Sequence, residues 1–203
     1  MSDRRESHYQ IPSAGSHSAP EDHVREDQII ITIAPGKTLA WLKEQFGKNV
    51  KIVRTMPNTP ALVGAGMTAA CPNEYMTKEE IAYVLTLLES FGRVEIIPER
   101  LMDTVVSVSG SSPAYVFMFI EAMADAAVSG GMPRAQAYQF AAQAVLGSAK
   151  MVLETGKHPG ELKDMVCSPA GTTIEAVRVL EEKGFRSSVI EAMKTCEEIS
   201  KSM

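Results

Sequence analysis

Cysteine is scarce in this 203-residue chain. The three present, Cys71, Cys167 and Cys196, form no CxxC pair and are odd in number, which favours free thiols in a reducing compartment over a disulfide framework. Excess positive charge is lacking too: 20 Lys and Arg against 25 Asp and Glu leave a net charge of −5. No basic stripe interleaved with aromatics offsets that balance, so no nucleic-acid partner is expected. The N-terminus has no apolar core of the kind a signal peptide needs. The most apolar stretch, Pro113 to Val128, carries Glu121 and Asp125 and is shorter than a bilayer crossing requires. A cytoplasmic protein with no membrane partner is the expectation. Of four histidines, His8, His17 and His23 fall in the polar opening segment at spacings that suit neither a helical nor a finger ligand set, so no metal site is expected.

What is there reads as an ordinary globular composition, 45% hydrophobic and 22% charged, in a length suited to one large or two small domains. Residues 1–26 are polar, without apolar periodicity, and are expected to form a disordered tail. Ile29–Ile33 is a β-branched apolar run, as in a strand buried on both faces. A Pro-Gly turn and a helix from about Thr38 follow, with Leu39, Leu42 and Phe46 on one face. Val50–Val53, Met67–Cys71 and Arg93–Ile97 read as further strands, and Thr77 with Glu80 makes a capping box for a helix that stops at Gly92. Alternating strands and helices imply an α/β layer with a mainly parallel sheet over residues 27–98.

From Leu101 the strand signal vanishes, and helices are expected at 101–109, 113–129, 134–154, 160–167, 173–183 and 185–202. Between Gly110 and Leu153 the charged residues are only Glu121, Asp125, Arg134 and Lys150, with alanine recurring throughout. A helix apolar nearly all round needs burial nearly all round. Six helices around one short core do not provide that, so burial against a second copy of the chain is expected. The alternative is a tight monomeric bundle.

Three junctions carry the candidate chemistry. "RTMPNTP", Arg54 to Pro60, leaves the carboxyl end of a strand, where open α/β sheets bind ligands. "VSGSSPAY", Val108 to Tyr115, opens a helix with Ser109, Ser111 and Ser112 as candidate caps. "CSPAGTT", Cys167 to Thr173, is a hinge ahead of another helix, whose first N–H groups have no internal partner and suit an anion. Cys167 itself is read as a small buried thiol rather than a nucleophile, since no histidine follows it. "GAGMTA", Gly64 to Ala69, matches GxGxxA formally, but flanking prolines replace the strand and helix that a dinucleotide fingerprint needs.

Taken together, "RTMPNTP", "SGSSPAY" and "HPGELKDMVCSPAGTTIEAVRVLE" closely resemble the pyrroline-5-carboxylate reductase family, over a span from about Ile29 to the C-terminus. The resemblance implies NADPH- or NADH-dependent reduction of 1-pyrroline-5-carboxylate to L-proline, on a Rossmann-like domain followed by a helical domain, 99–203, that makes a homodimer or an oligomer of dimers. By position it places the nicotinamide end of the cofactor at Ala34, Pro35, Gly36, Met56, Pro57, Asn58, Thr59, Pro60 and Ser111. It places the substrate carboxylate at Ser168, Ala170, Gly171, Thr172 and Thr173, with Thr173 near the ring nitrogen as the catalytic residue. Two departures stand out: Ser112 replaces the glycine of the family's SGSGP, and residues 1–26 do not resemble the family's opening strand and glycine-rich turn. The expectation is a partial dinucleotide fold with weak cofactor binding. The rival readings are a non-catalytic dimerisation module derived from the enzyme, and a reductase of a related imine or keto acid.

Overall fold

The computed structural model describes residues 24–25 and 27–202. They divide into two compact units, one holding the chain up to Pro57 with residues 61–102, the other holding 58–60 with 103–202. The polar tail and His8, His17 and His23 lie outside the described residues. The tail boundary is corrected at Val24, which packs against the cluster of Leu42, Phe46, Val50 and Ile52 and whose carbonyl accepts from Lys48 Nζ at 2.6 Å.

The first unit is a four-stranded sheet in the order β1-β2-β3-β4: β1 Ile29–Thr32, β2 Lys51–Met56, β3 Gly66–Pro72 and β4 Gly92–Ile96. The β1/β2 and β3/β4 pairs are parallel and the β2/β3 pair antiparallel, so the sheet is mainly parallel as expected. Helices α1 (Leu39–Phe46) and α2 (Lys78–Glu89) connect the parallel pairs. Neighbouring residues on a strand face opposite ways. Ile52 therefore packs with Leu42, Phe46 and Val50, whereas Val53 packs with Ala70, Met76, Val84 and Leu88. Both faces of β2 are covered, which explains its lack of polar alternation.

Local chemistry fixes the ends. Thr38 Oγ1 accepts from Trp41 N at 3.1 Å, and Gly47, in the left-handed region at φ 59°, closes α1. The capping box forms, Glu80 N donating to Thr77 Oγ1 at 3.2 Å and Thr77 N to Glu80 Oε2 at 2.9 Å. Helix α2 ends at Glu89, three residues before the expected stop at Gly92. Gly92 instead begins β4 opposite Gly66, where an added Cβ would meet the Gly66 carbonyl oxygen at 2.1 Å. Close backbone approach, not helix termination, is what requires glycine there.

The second unit is helical: α3 Met102–Val105, a π-helix at Val106–Gly110, then α4 Ser112–Ser129, α5 Arg134–Thr155, α6 Pro159–Val166, α7 Thr172–Glu182 and α8 Phe185–Lys201. The single helix expected at 101–109 is broken into a 3-10 turn at Glu99–Leu101, α3 and the π-helix. The other five helices fall where the apolar periodicity put them. Within one chain α4 buries only Ala124 and α5 only Ala137 and Ala141. The two rods pack on each other. Phe117, Met118, Phe140, Leu146 and Leu153 are each more than half exposed, an apolar face far beyond what a monomeric surface carries singly.

One length expectation needs correcting. The apolar segment 113–128 is the end of a helical run, Glu99–Ser129, of 31 residues, which by length and composition alone is enough to cross a membrane. A helix made to pack against another copy passes the same test, because both are apolar nearly all round.

Candidate functional site

Two loops follow the carboxyl ends of adjacent parallel strands. In register Thr32 stands opposite Arg54, and Thr55 Oγ1 donates to the Thr32 carbonyl at 3.0 Å. The Ile33–Gly36 turn starts from that point, with Ala34 N donating to Thr32 Oγ1 at 3.2 Å and Gly36 at φ 69°. Ile33 is 65% exposed beside it. Met56 ends β2 and Pro57 carries the chain out of the sheet. Below the loops Arg54, only 6% exposed, donates to Glu99 at 2.9 Å, and the same carboxylate accepts from Leu39 N at 2.7 Å. That carboxylate ties β2 to the start of α1, so it fixes the strand ends from which both loops spring.

The hinge is built differently. Helix α6 begins at Pro159, with His158 Nδ1 accepting from Gly160 N at 3.0 Å, and ends as Cys167 N donates to the Asp164 carbonyl at 3.1 Å. Cys167 is half-buried, not the buried thiol the sequence suggested. The turn closes with Gly171 N donating to the Ser168 carbonyl at 3.0 Å. Ala170 takes φ 55° and is the one non-glycine at positive φ among the described residues, a conformation costing about 1–2 kcal/mol for an L-residue. Gly171 adopts extended backbone (φ −81°, ψ 169°) as the N-cap of α7, and an added Cβ would sit 2.3 Å from Ser168 Oγ. Like α4, α5 and α8, and unlike α1, α2 and α6, α7 receives no side-chain cap. Its opening N–H groups at Thr172 and Thr173 therefore have no partner within the helix, just after the strained Ala170, with Thr172 exposed and Thr173 half-buried. The helix dipole adds its positive end there.

The serines of "SGSSP" do not cap α4, a correction to the sequence reading. Ser109 Oγ donates to the Val105 carbonyl at 3.4 Å and Ser112 Oγ to Val108 at 2.8 Å, each back into the preceding turn. They do so because the π-helix runs straight into α4, Ser111 N donating to the Val106 carbonyl at 2.8 Å, and leaves no N-terminus to cap. Ser111 Oγ instead accepts from Cys196 Sγ at 3.2 Å, and Ser200 Oγ donates to Asp103 at 2.7 Å, so α8 is pinned along this segment. Burial, and then the hydrogen bond with Cys196, push the Tyr115 hydroxyl above the usual tyrosine range. Cys196 and Tyr115 were missed by sequence reasoning; the turn is remote in the chain from Cys196, and no local pattern links them. "GAGMTA" opens β3 after a 3-10 turn, with no helix behind it, as expected of a chance match.

Of the candidate residues, Ala34, Pro35, Gly36, Met56 and Pro57 thus belong to the sheet unit, whereas Asn58, Thr59, Pro60, Ser111 and Ser168–Thr173 belong to the helical unit.

Comparison with known proteins supplies the class. Residues 99–203 match the family described as pyrroline-5-carboxylate reductase dimerisation. Pyrroline-5-carboxylate reductase of Escherichia coli (strain K12) is 66% identical over 180 residues, covering 89% of this chain and 67% of that protein. Two solved structures share the fold. Plasmodium falciparum pyrroline carboxylate reductase with NADP bound is 35% identical at a TM-score of 0.80, covering 86% of this chain and 71% of that one. The Streptococcus pyogenes 1-pyrroline-5-carboxylate reductase is 37% identical at 0.81, covering 87% and 68%. The chain spans about two thirds of the length of such relatives. Fold and likeness define an oxidoreductase with a Rossmann-like sheet and a helical dimerisation region. The chain belongs to the pyrroline-5-carboxylate reductase family.

Proposed function

We propose that the hinge Ser168–Thr173 holds the carboxylate of 1-pyrroline-5-carboxylate, or of the product L-proline, on the opening N–H groups of α7. The uncapped α7 terminus behind the strained Ala170 carries this reading. Charge-assisted hydrogen bonds of this type contribute roughly 1.5–3 kcal/mol each. Thr173, half-buried, offers a hydroxyl toward the ring nitrogen; Ser168 and Thr172 add further hydroxyls beside the carboxylate.

The cofactor is NADPH or NADH, as the NADP-bound relative suggests for this chain. Within the sheet unit, Ala34–Gly36 and Met56–Pro57 fit its nicotinamide end: they follow neighbouring strand ends, and Gly36 takes φ 69°. Such a cofactor, when bound, supplies a hydride for the imine carbon. The residues' own work is to hold substrate and cofactor in reach and in line, which removes much of the barrier without a nucleophile or metal. No strand–GxGxxG–helix unit occurs in the 203 residues, so donors for the pyrophosphate are few in this chain.

The working form we propose is a cytoplasmic homodimer, open to assembly into an oligomer of dimers, covering the apolar faces of α4 and α5, with neither nucleic acid nor membrane as a partner. The shortage of pyrophosphate donors favours one second reading, a dimerisation module without turnover of its own. Reduction of 1-pyrroline-5-carboxylate by NADPH, followed at high protein concentration, separates them. Turnover that falls about tenfold in Thr173→Ala, the worth of one hydrogen bond, supports the reductase. No turnover at any NADPH concentration overturns it for this chain in favour of the module.

A further inference from the structure

Asn58 sits at the centre of the "MPNTP" loop, yet its side-chain amide is spent on the protein. Asn58 Nδ2 donates to the backbone carbonyl of Ser109 at 3.1 Å, in a half-buried contact. That carbonyl needs an outside donor for a reason written in the sequence. In an α-helix the carbonyl of Ser109 would accept from residue 113, which is proline and has no N–H. In a π-helix it would accept from residue 114, but Ala114 N donates to Ser111 at 3.1 Å. Both helical donors are lost at one residue, the last but one of the π-helix Val106–Gly110.

We infer that Asn58 is a positioning residue: its amide replaces the N–H that Pro113 lacks, and so latches the Asn58–Pro60 stretch onto the π-helix rather than reaching for the dinucleotide. An unpaired carbonyl in a half-buried place is costly, and a side-chain amide is the least demanding donor that a loop can bring to it. The latch fixes where the loop begins its 3-10 turn, Thr59–Val63, which closes with Gly64 N donating to Ala61 at 3.0 Å. Its functional consequence rests on the assignment of this loop to the cofactor; the latch does not.

The test is a double-mutant cycle read by hydrogen exchange on the whole chain. Asn58→Ala should speed amide exchange at Ala61–Gly64 by about tenfold, the loss of one hydrogen bond. In a Pro113→Ala background, where Ser109 regains a helical donor, the same change should alter exchange by less than about twofold, a non-additivity expected of directly coupled sites. Asn58→Asp, of equal size but unable to donate, should repeat the pattern and serves if the alanine variant does not fold. Equal acceleration in both backgrounds, or none in either, overturns the latch. So does an Asn58→Ala loss of NADPH binding that is the same with and without Pro113, for that marks a direct ligand contact. If the cycle holds while no variant changes NADPH binding by saturation-transfer NMR, the latch stands and the cofactor assignment of the loop fails.

Discussion

Replacing Gly171 by alanine perturbs the hinge at its tightest point. The backbone there is extended (φ −81°, ψ 169°), which any residue adopts, so the cost is one of contact and not of conformation. The new Cβ would lie 2.3 Å from Ser168 Oγ and 3.1 Å from the Ser168 carbonyl oxygen, the oxygen that accepts Gly171 N–H at 3.0 Å. The hydroxyl must rotate away, and the turn must open by several tenths of an ångström to relieve the second contact. Overpacking of this kind costs about 1–3 kcal/mol. If half of that falls on the α7 donors proposed to hold the carboxylate, L-proline affinity drops by about two- to tenfold. Calorimetric titration of L-proline reads it directly. Ser168→Ala removes the 2.3 Å contact, so Gly171→Ala should cost markedly less in that background. An unchanged L-proline affinity in the single variant refutes the reasoning, as does an equal loss in both backgrounds.

Ala142 on α5 is exposed in the single chain, so Ala142→Glu leaves the fold intact but buries an unpaired charge in the dimer, at about 3–5 kcal/mol; sedimentation should show a folded monomer, and an unaffected dimer would place the interface elsewhere. NADPH should bind this chain more weakly than millimolar, because a site of about −8 kcal/mol that loses three contacts of about 1.5–3 kcal/mol each falls past −4.1 kcal/mol; tight saturable binding by calorimetry would contradict it. Glu80 is held below the usual glutamate range, first by the Lys51 ammonium and then by Thr77 N–H. Its contribution is therefore complete above the ordinary value and lost as pH falls through the lowered one, so the stability of Glu80→Gln should fall less steeply with pH below the ordinary glutamate value than that of the parent; parallel curves would refute it.

Most of the element boundaries were legible because short-range chemistry sets them: Thr38 and Thr77 cap as their residue types dictate, and the adjacent apolar pair Ile52 and Val53 in β2 reflects helices on both faces. What stayed hidden depended on distant partners. The π-helix at Val106–Gly110 arises where Pro113 withholds a donor and Asn58, 51 residues earlier than Ser109, provides one. Serines that looked like caps bond backwards for the same reason. Gly92 read as a helix stop because only the β3/β4 register reveals Gly66 beneath it. At the hinge the sequence pointed to free N–H groups, while the positive φ of Ala170, which any table of preferences assigns to glycine, emerged only with the fold.

The central claim is that the N-terminus of α7 is a carboxylate site for a proline-like ring. Amide shifts recorded by heteronuclear NMR during an L-proline titration test it most directly. The account predicts saturable shifts concentrated at Gly171–Ile174, abolished or weakened about tenfold in Thr173→Ala. Saturable shifts confined to another part of the chain, or none at Gly171–Ile174 when L-proline is in large excess, would contradict it.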